Sequence, residues 1–290
     1  MRTITLLLTL LTLFFGGLVT AQTLRVFDQD YAAARAYAQE NGKLILVDFY
    51  TTWCGPCKEL DRKVFSDPGV RAKLAENYVM LKYDAEKDTV HHLSKKLAVM
   101  SYPSATILTA EGYVLTDLLE FDWENDTTLI ASVLNYTTNG TKLAAAGQRL
   151  PGYSNEINPE KYPAFYRDYV NRTNIKPDSA EYAAYWAADH DVFSEAYYST
   201  MYYFSVNGVP AEVADNALNN RDKYAELFGE GTIATAIFFH AYGKLSKAAK
   251  AQDPAALAAA KAWTRKALAA EEAEELITGI EERMAKAGKS

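Results

Sequence analysis

The 290-residue sequence contains only two cysteines, Cys54 and Cys57, three positions apart. That scarcity excludes a fold stapled by disulfides, which needs more cysteines at wider spacings, so the core must hold the fold and the sulfurs are left for chemistry. Long runs of one charge are missing too: 30 Lys and Arg alternate with 37 Asp and Glu along most of the chain, for a formal net charge of -7. No nucleic-acid partner is expected from that balance. Beyond residue 21 no stretch is apolar enough to span a bilayer, and neither a Gly-rich phosphate loop nor a Ser/His/Asp motif is recognisable. Histidines number four, and a zinc site built on the cysteine pair would need two of His91, His92, His190 and His240. Adjacent His91 and His92 on one predicted helix point in different directions, and there is no second cysteine pair, so no metal is expected and both are read as surface residues.

What is present divides into three parts. Residues 1–21 combine one basic residue, Arg2, with an apolar stretch and a small-residue end at Val19, Thr20 and Ala21. This reads as a signal peptide of an exported protein, with an uncleaved membrane anchor as the alternative and the one membrane contact the chain would then have. A hydrophobic content of 49% over this length suits two domains, expected at 22–140 and 141–290.

In the first domain, apolar and small residues at helical spacing (Phe27, Tyr31, Ala34, Ala38) predict a helix over 27–40, ended by Asn41 and Gly42. The continuous apolar run 43–50 reads as a buried central strand, followed by helix over 58–65, a break at 66–69 and helix over 70–76. A strand over 78–84, a helix over 89–98, strands over 104–109 and 113–119, and a helix over 126–138 capped by Asn125 or Asp126 complete an α/β unit. Asp122, Glu124, Asn125 and Asp126 form an acidic stretch that capping explains without a metal. From residue 141 on there is no convincing strand. Alanine and tyrosine dominate, and helical segments are separated at 151–152, 176–178, 207–210, 228–231 and 252–254, which predicts an all-helical domain. The stretch 258–269 faintly resembles the second helix of a tetratricopeptide repeat, although no clean period emerges. The tyrosines from Tyr182 to Tyr203 are read as packing between helices, with a peptide groove as the alternative.

Cys54 directly follows the predicted central strand, and Cys57 lies one turn inside the next helix. A pair at such a junction sets the first sulfur over free N–H groups and the positive end of the helix dipole, which favours a thiolate. Cys54 is therefore the candidate nucleophile and Cys57 the resolving thiol that attacks a mixed disulfide. Gly55 and Pro56 suit the tight entry, since proline is tolerated in a first turn.

The stretch Val47-Asp48-Phe49-Tyr50-Thr51-Thr52-Trp53-Cys54-Gly55-Pro56-Cys57-Lys58 resembles the active-site segment of thioredoxins at nearly every position, and the likeness extends loosely over 28–140. The following residues 63–70 look more like the thioredoxin-like reductase domains of bacterial periplasmic proteins, including the C-terminal domain of a transmembrane reductase. The resemblance implies a thioredoxin fold, a central mixed sheet flanked by helices. It also implies thiol-disulfide exchange at a redox-active Cys54–Cys57 disulfide with no other cofactor.

Residue by residue, the resemblance makes Asp48 a buried carboxylate beneath Cys57 with a raised pKa, a base for its proton; a strand-end aspartate facing water is the alternative. Lys82 falls where some thioredoxins hold a lysine against that carboxylate, unless it is an exposed strand lysine. Pro103 matches the family's cis-proline, whose loop packs on the disulfide and offers backbone groups to an extended substrate. Trp53 flanks the sulfur as a surface contact or packs, and Lys58 follows the motif as in the family. Tyr102 departs from the small or branched residue usual before that proline, which bears on substrate preference and potential.

Protein substrates bearing disulfides, reduced in the bacterial envelope with a membrane reductase as electron donor, follow as the expected role. A peptide-binding or scaffold protein led by the helical domain is the alternative.

Overall fold

The computed structural model describes residues 23–171, 173, 178–206 and 208–287. The expected signal segment, residues 1–21, lies outside the described residues, as do the predicted breaks at 176–177 and 207.

Strand β1 (Val26–Asp28) opens the described chain and pairs in parallel with β3 (Tyr78–Asp84), Val26 opposite Met80. The helix expected from residue 27 therefore begins later, as α1 (Tyr31–Asn41). Asp30 accepts the Ala33 N–H at its start, and Gly42 ends it at φ +62°, a conformation glycine adopts without steric cost. A three-residue edge strand is too short for alternation to be distinguished from the start of a helix.

Strand β2 (Leu44–Tyr50) lies at the centre, parallel to β3 and antiparallel to β4 (Ser104–Leu108), in the order β1-β3-β2-β4. After β2 come α2 (Gly55–Leu60), a π-helical turn (Asp61–Phe65) and α3 (Pro68–Asn77), the last capped by Asp67 on the Val70 N–H. Alternation splits the strands between two faces. Leu46, Met80, Ala105 and Ile107 pack with Leu60, Val64 and Leu74 on one face. Ile45, Val47, Phe49, Val79 and Leu81 pack on the other, with α1 and α4 (Leu93–Lys96).

Helix α4 is shorter than the predicted 89–98. His92 takes a left-handed φ of +50°, and the Asp88 carboxylate turns back to accept the Ser94 N–H at 2.8 Å and the Tyr83 hydroxyl, so the preceding residues cap and do not coil. His91 and His92 accordingly precede the helix, and both are half-buried rather than surface residues.

The strand expected over 113–119 is a broken edge. Leu115 donates to Ile107 O and Leu119 to Ala105 O, so the chain takes four steps against two of β4, a bulge at 116–118. The Asp117 carboxylate leaves the sheet there to accept the Gly231 N–H at 2.8 Å. Burial pushes its pKa up to about 6.

Helix α5 (Asp126–Ala145) runs past the predicted end at 138. Its cap is a reciprocal box: the Asn125 carboxamide accepts the Thr127 and Thr128 N–H groups, and the Thr128 hydroxyl oxygen accepts the Asn125 N–H. Asn125→Ala is expected to cost about 1 kcal/mol, read as a lower urea midpoint; an unchanged midpoint would show that this cap contributes nothing.

The remainder is helical: α6 (Ala164–Val170), α7 (Ser179–Ala187), α8 (Glu195–Phe204), α9 (Ala211–Asn219), α10 (Arg221–Phe228), α11 (Glu230–Ala251), α12 (Pro254–Ala267) and α13 (Ala270–Ala287). No strand occurs after β4 among the described residues. Gly229, at φ +102°, turns α10 into α11, and a Cβ there would meet Asp117 Oδ1. The tyrosine-rich stretch is mainly core: Tyr197, Tyr198, Met201, Tyr202 and Phe204 are buried, with Tyr198 stacked on Phe228 at 3.9 Å.

This core is continuous with the α1/α4 face of the sheet. A buried ion pair, Lys96 Nζ to Glu195 Oε1 at 2.7 Å, and a bond from the Ser199 hydroxyl to Lys96 O at 2.7 Å tie α4 to α8. The helices therefore hold the segment that leads directly into the loop at residues 101–103.

Candidate active site

Cys54 is the N-cap of α2, and its Sγ accepts the Cys57 N–H at 3.0 Å, with Pro56 in the first turn where a missing N–H costs nothing. The two sulfurs are joined as a disulfide. Cys54 is 2% exposed and Cys57 5%, so burial does not tell them apart; position at the helix start does.

Asp48 follows Leu44 and Leu46 on the face of β2 that α2 covers, and it is 2% exposed, not turned to water. Its register partner on β3 is Lys82, whose Nζ lies 3.3 Å from Asp48 Oδ2. Loss of hydration pushes the Asp48 pKa up to about 6 against the opposing pull of Lys82, and Asp61 adds to the rise. Asp48 Oδ1 has no hydrogen-bond partner among the described residues. Lys82 is half-buried and also pairs with Asp61 Oδ1, so it bridges two carboxylates and is no exposed strand lysine.

Asp61 was missed in the sequence. It stands four residues after Cys57, one helical turn along the same face, and that spacing is the signal that could have found it.

The Tyr102–Pro103 peptide is cis. Its loop is tied by the Ser104 hydroxyl donating to Ser101 O at 2.7 Å. Tyr102 meets Trp53 edge to face, ring centroids 6.2 Å apart. Trp53 is 60% exposed, and its indole N–H donates to Glu86 Oε1 at 2.9 Å, a partner that the sequence did not suggest. Gly55, Pro56 and Lys58 lie on the exposed side of α2. The histidines are not gathered here: His190 bonds Tyr185 O at 2.7 Å, and His240 is buried in α11, with its pKa pushed down to about 3 by loss of hydration. Among the described residues no group of three or more His, Cys, Asp or Glu side chains is arranged to hold a metal ion.

A mixed parallel and antiparallel sheet with a helix-capping Cys-x-x-Cys pair and a cis-proline just before β4 agrees with a family model described as thioredoxin-like, which matches residues 26–110. Residues 26–110 form a thioredoxin-like domain. Relatives carrying the name thiol:disulfide interchange protein DsbD match part of the chain. That of Yersinia enterocolitica is 37% identical over 79 residues, 27% of this chain and 14% of its own length. That of Ralstonia nicotianae is 34% identical over 98 residues, 33% of this chain and 16% of its own. The chain thus spans about one seventh of the curated relatives it matches. The solution structure of a thioredoxin from Thermus thermophilus aligns with 43% of this chain and 94% of its own, at 23% identity and a TM-score of 0.33.

Proposed function

We propose that this chain is a thiol-disulfide oxidoreductase that reduces protein disulfides in the bacterial cell envelope. The observation that carries this reading is the Cys54–Cys57 disulfide at the start of α2, set against a buried carboxylate on β2. In the reduced protein the Cys54 thiolate attacks a client disulfide, forming a mixed disulfide and releasing the first client thiolate. Cys57 passes its proton to Asp48 and attacks Cys54 Sγ, releasing the second client thiolate and closing the Cys54–Cys57 disulfide. Two electrons pass from protein to client, and a dithiol donor, on this reading a membrane reductase of the envelope, restores the pair.

Lys82 and Asp61 tune Asp48, while Trp53, Gly55, Pro56, Lys58, Tyr102 and Pro103 border the sulfurs and contact the client. The catalytic unit is the domain expected at 22–140, extended to the end of α5 at Ala145 because a boundary at 140 would cut that helix, and the helical domain follows it. The names of the relatives support thiol-disulfide interchange, the Gly-Pro dipeptide supports the reducing direction, and the exported setting rests on residues 1–21. Equilibrating the pair with glutathione should give a potential near that of thioredoxins, about -270 mV; a value above about -150 mV would overturn the reductase reading in favour of an oxidase.

A further inference from the structure

Beside the disulfide lies a groove of about 690 Å³ that both parts of the molecule build. The thioredoxin-like part supplies Pro56, the Tyr102–Pro103 loop and the segment 118–123; the helical part supplies Val206, just after α8, and Thr235 and Phe239 on α11. Four large apolar side chains are exposed among the described residues. Two of them, Trp123 (41%) and Val206 (38%), line this groove, and a third, Trp53, meets Tyr102 at its margin. Exposed apolar surface concentrated at one place marks a binding site.

The lining carries charge of one sign only. Glu59 and Glu120 are its charged members, and no Lys or Arg is among them. Glu59 is answered by Lys63 at 2.7 Å, whereas Glu120 is exposed and forms no ion pair among the described residues. Asp122 and Glu124 follow on the same segment, so the rim is acidic and calls for a cation. The burial of both sulfurs constrains the partner further. A rigid convex surface cannot bring its disulfide to them, whereas an extended, locally unpacked segment can.

We propose that this groove docks an extended segment of the client beside its disulfide cysteine, taking an apolar side chain into the groove and a Lys or Arg against Glu120. The helical region is on this account a wall of the substrate site and sets which clients are reduced. The proposal rests on the reductase reading and is separable from it.

The test uses the reduced full-length chain and short peptides whose single cysteine is held as a mixed disulfide with 2-mercaptoethanol. One peptide carries Leu and Lys beside the cysteine and the other Ser and Glu. The parent is expected to favour the first about tenfold in kcat/KM. Glu120→Lys should bring that ratio to about one or below, and Thr235→Trp, which fills the groove from α11, should lower it severalfold. Because the readout is a ratio within one preparation, partial misfolding of a variant cancels. A parent ratio near one, or a ratio unmoved by both variants, overturns the groove while leaving the reductase reading intact. If bis(2-hydroxyethyl) disulfide and both peptides go unreduced by the parent, the reductase reading fails and the proposal falls with it.

Discussion

Replacing Cys54 with serine is expected to cut disulfide reduction by more than about a thousandfold, the scale on which enzymes lose activity with their nucleophile, whereas Cys57→Ser should stall with a client attached. The two outcomes differ because the two sulfurs occupy different places on one helix. Cys54 caps α2 and its sulfur already receives the Cys57 N–H, so a thiolate formed there is stabilised by the donors of the first turn. Cys57 sits inside that turn and can reach only the bond that Cys54 has made. The Cys57→Ser protein should therefore accumulate mixed disulfides, visible as a mass increase that dithiothreitol reverses. If Cys54→Ser accumulates them instead, the roles are reversed. If neither variant does while the isolated helical region still binds proteins, the scaffold reading takes precedence.

The site was legible in the sequence wherever one local rule decided the outcome. β2 and β3 appear within a residue of their expected limits because a central strand buried on both faces is a continuous apolar run. Cys54 at a strand-to-helix junction and Asn125 as a cap are local in the same sense, whereas Asp48 was legible only through the resemblance to thioredoxins. The losses are tertiary. The bulge at 116–118 exists because Asp117 reaches Gly231, more than a hundred residues away, and no pattern within 113–119 records that partner. α4 is short because Asp88 accepts from Tyr83 and Ser94, which replaces coil with a cap. Asp61 became part of the site only when β3 placed Lys82 between it and Asp48. The groove was least legible of all, since its walls come from segments well over a hundred positions apart in the chain.

The buried carboxylate should cost the protein stability at neutral pH, and removing it should give that stability back. Asp48 has its pKa raised from 3.8 to about 6, chiefly because burial penalises its charged form. A group whose folded pKa lies above its unfolded value binds more protons in the folded state between the two values, so stability falls as pH rises through that window, here from about 4 to about 6. Raising a carboxyl pKa by one costs the folded state about 1.4 kcal/mol once the group is ionised, so the oxidised protein should lose about 3 kcal/mol to Asp48 alone across the window.

In Asp48→Asn that loss should disappear. Lys82 keeps Asp61 as its partner, so the substitution leaves no buried cation unpaired. Urea denaturation at a series of pH values should give curves for parent and variant that converge near pH 4 and separate by about 3 kcal/mol above about pH 6, the variant being the more stable. Asp117 titrates near the same pH in both proteins and cancels in the difference. The gain in stability should come with a loss of function, since a carboxamide cannot take the Cys57 proton: turnover at pH 7 should fall at least about tenfold, the modest end of what a general base supplies. Parallel denaturation curves would mean that Asp48 is not held protonated by its surroundings. Separated curves with unchanged turnover would mean that the Cys57 proton leaves by another route.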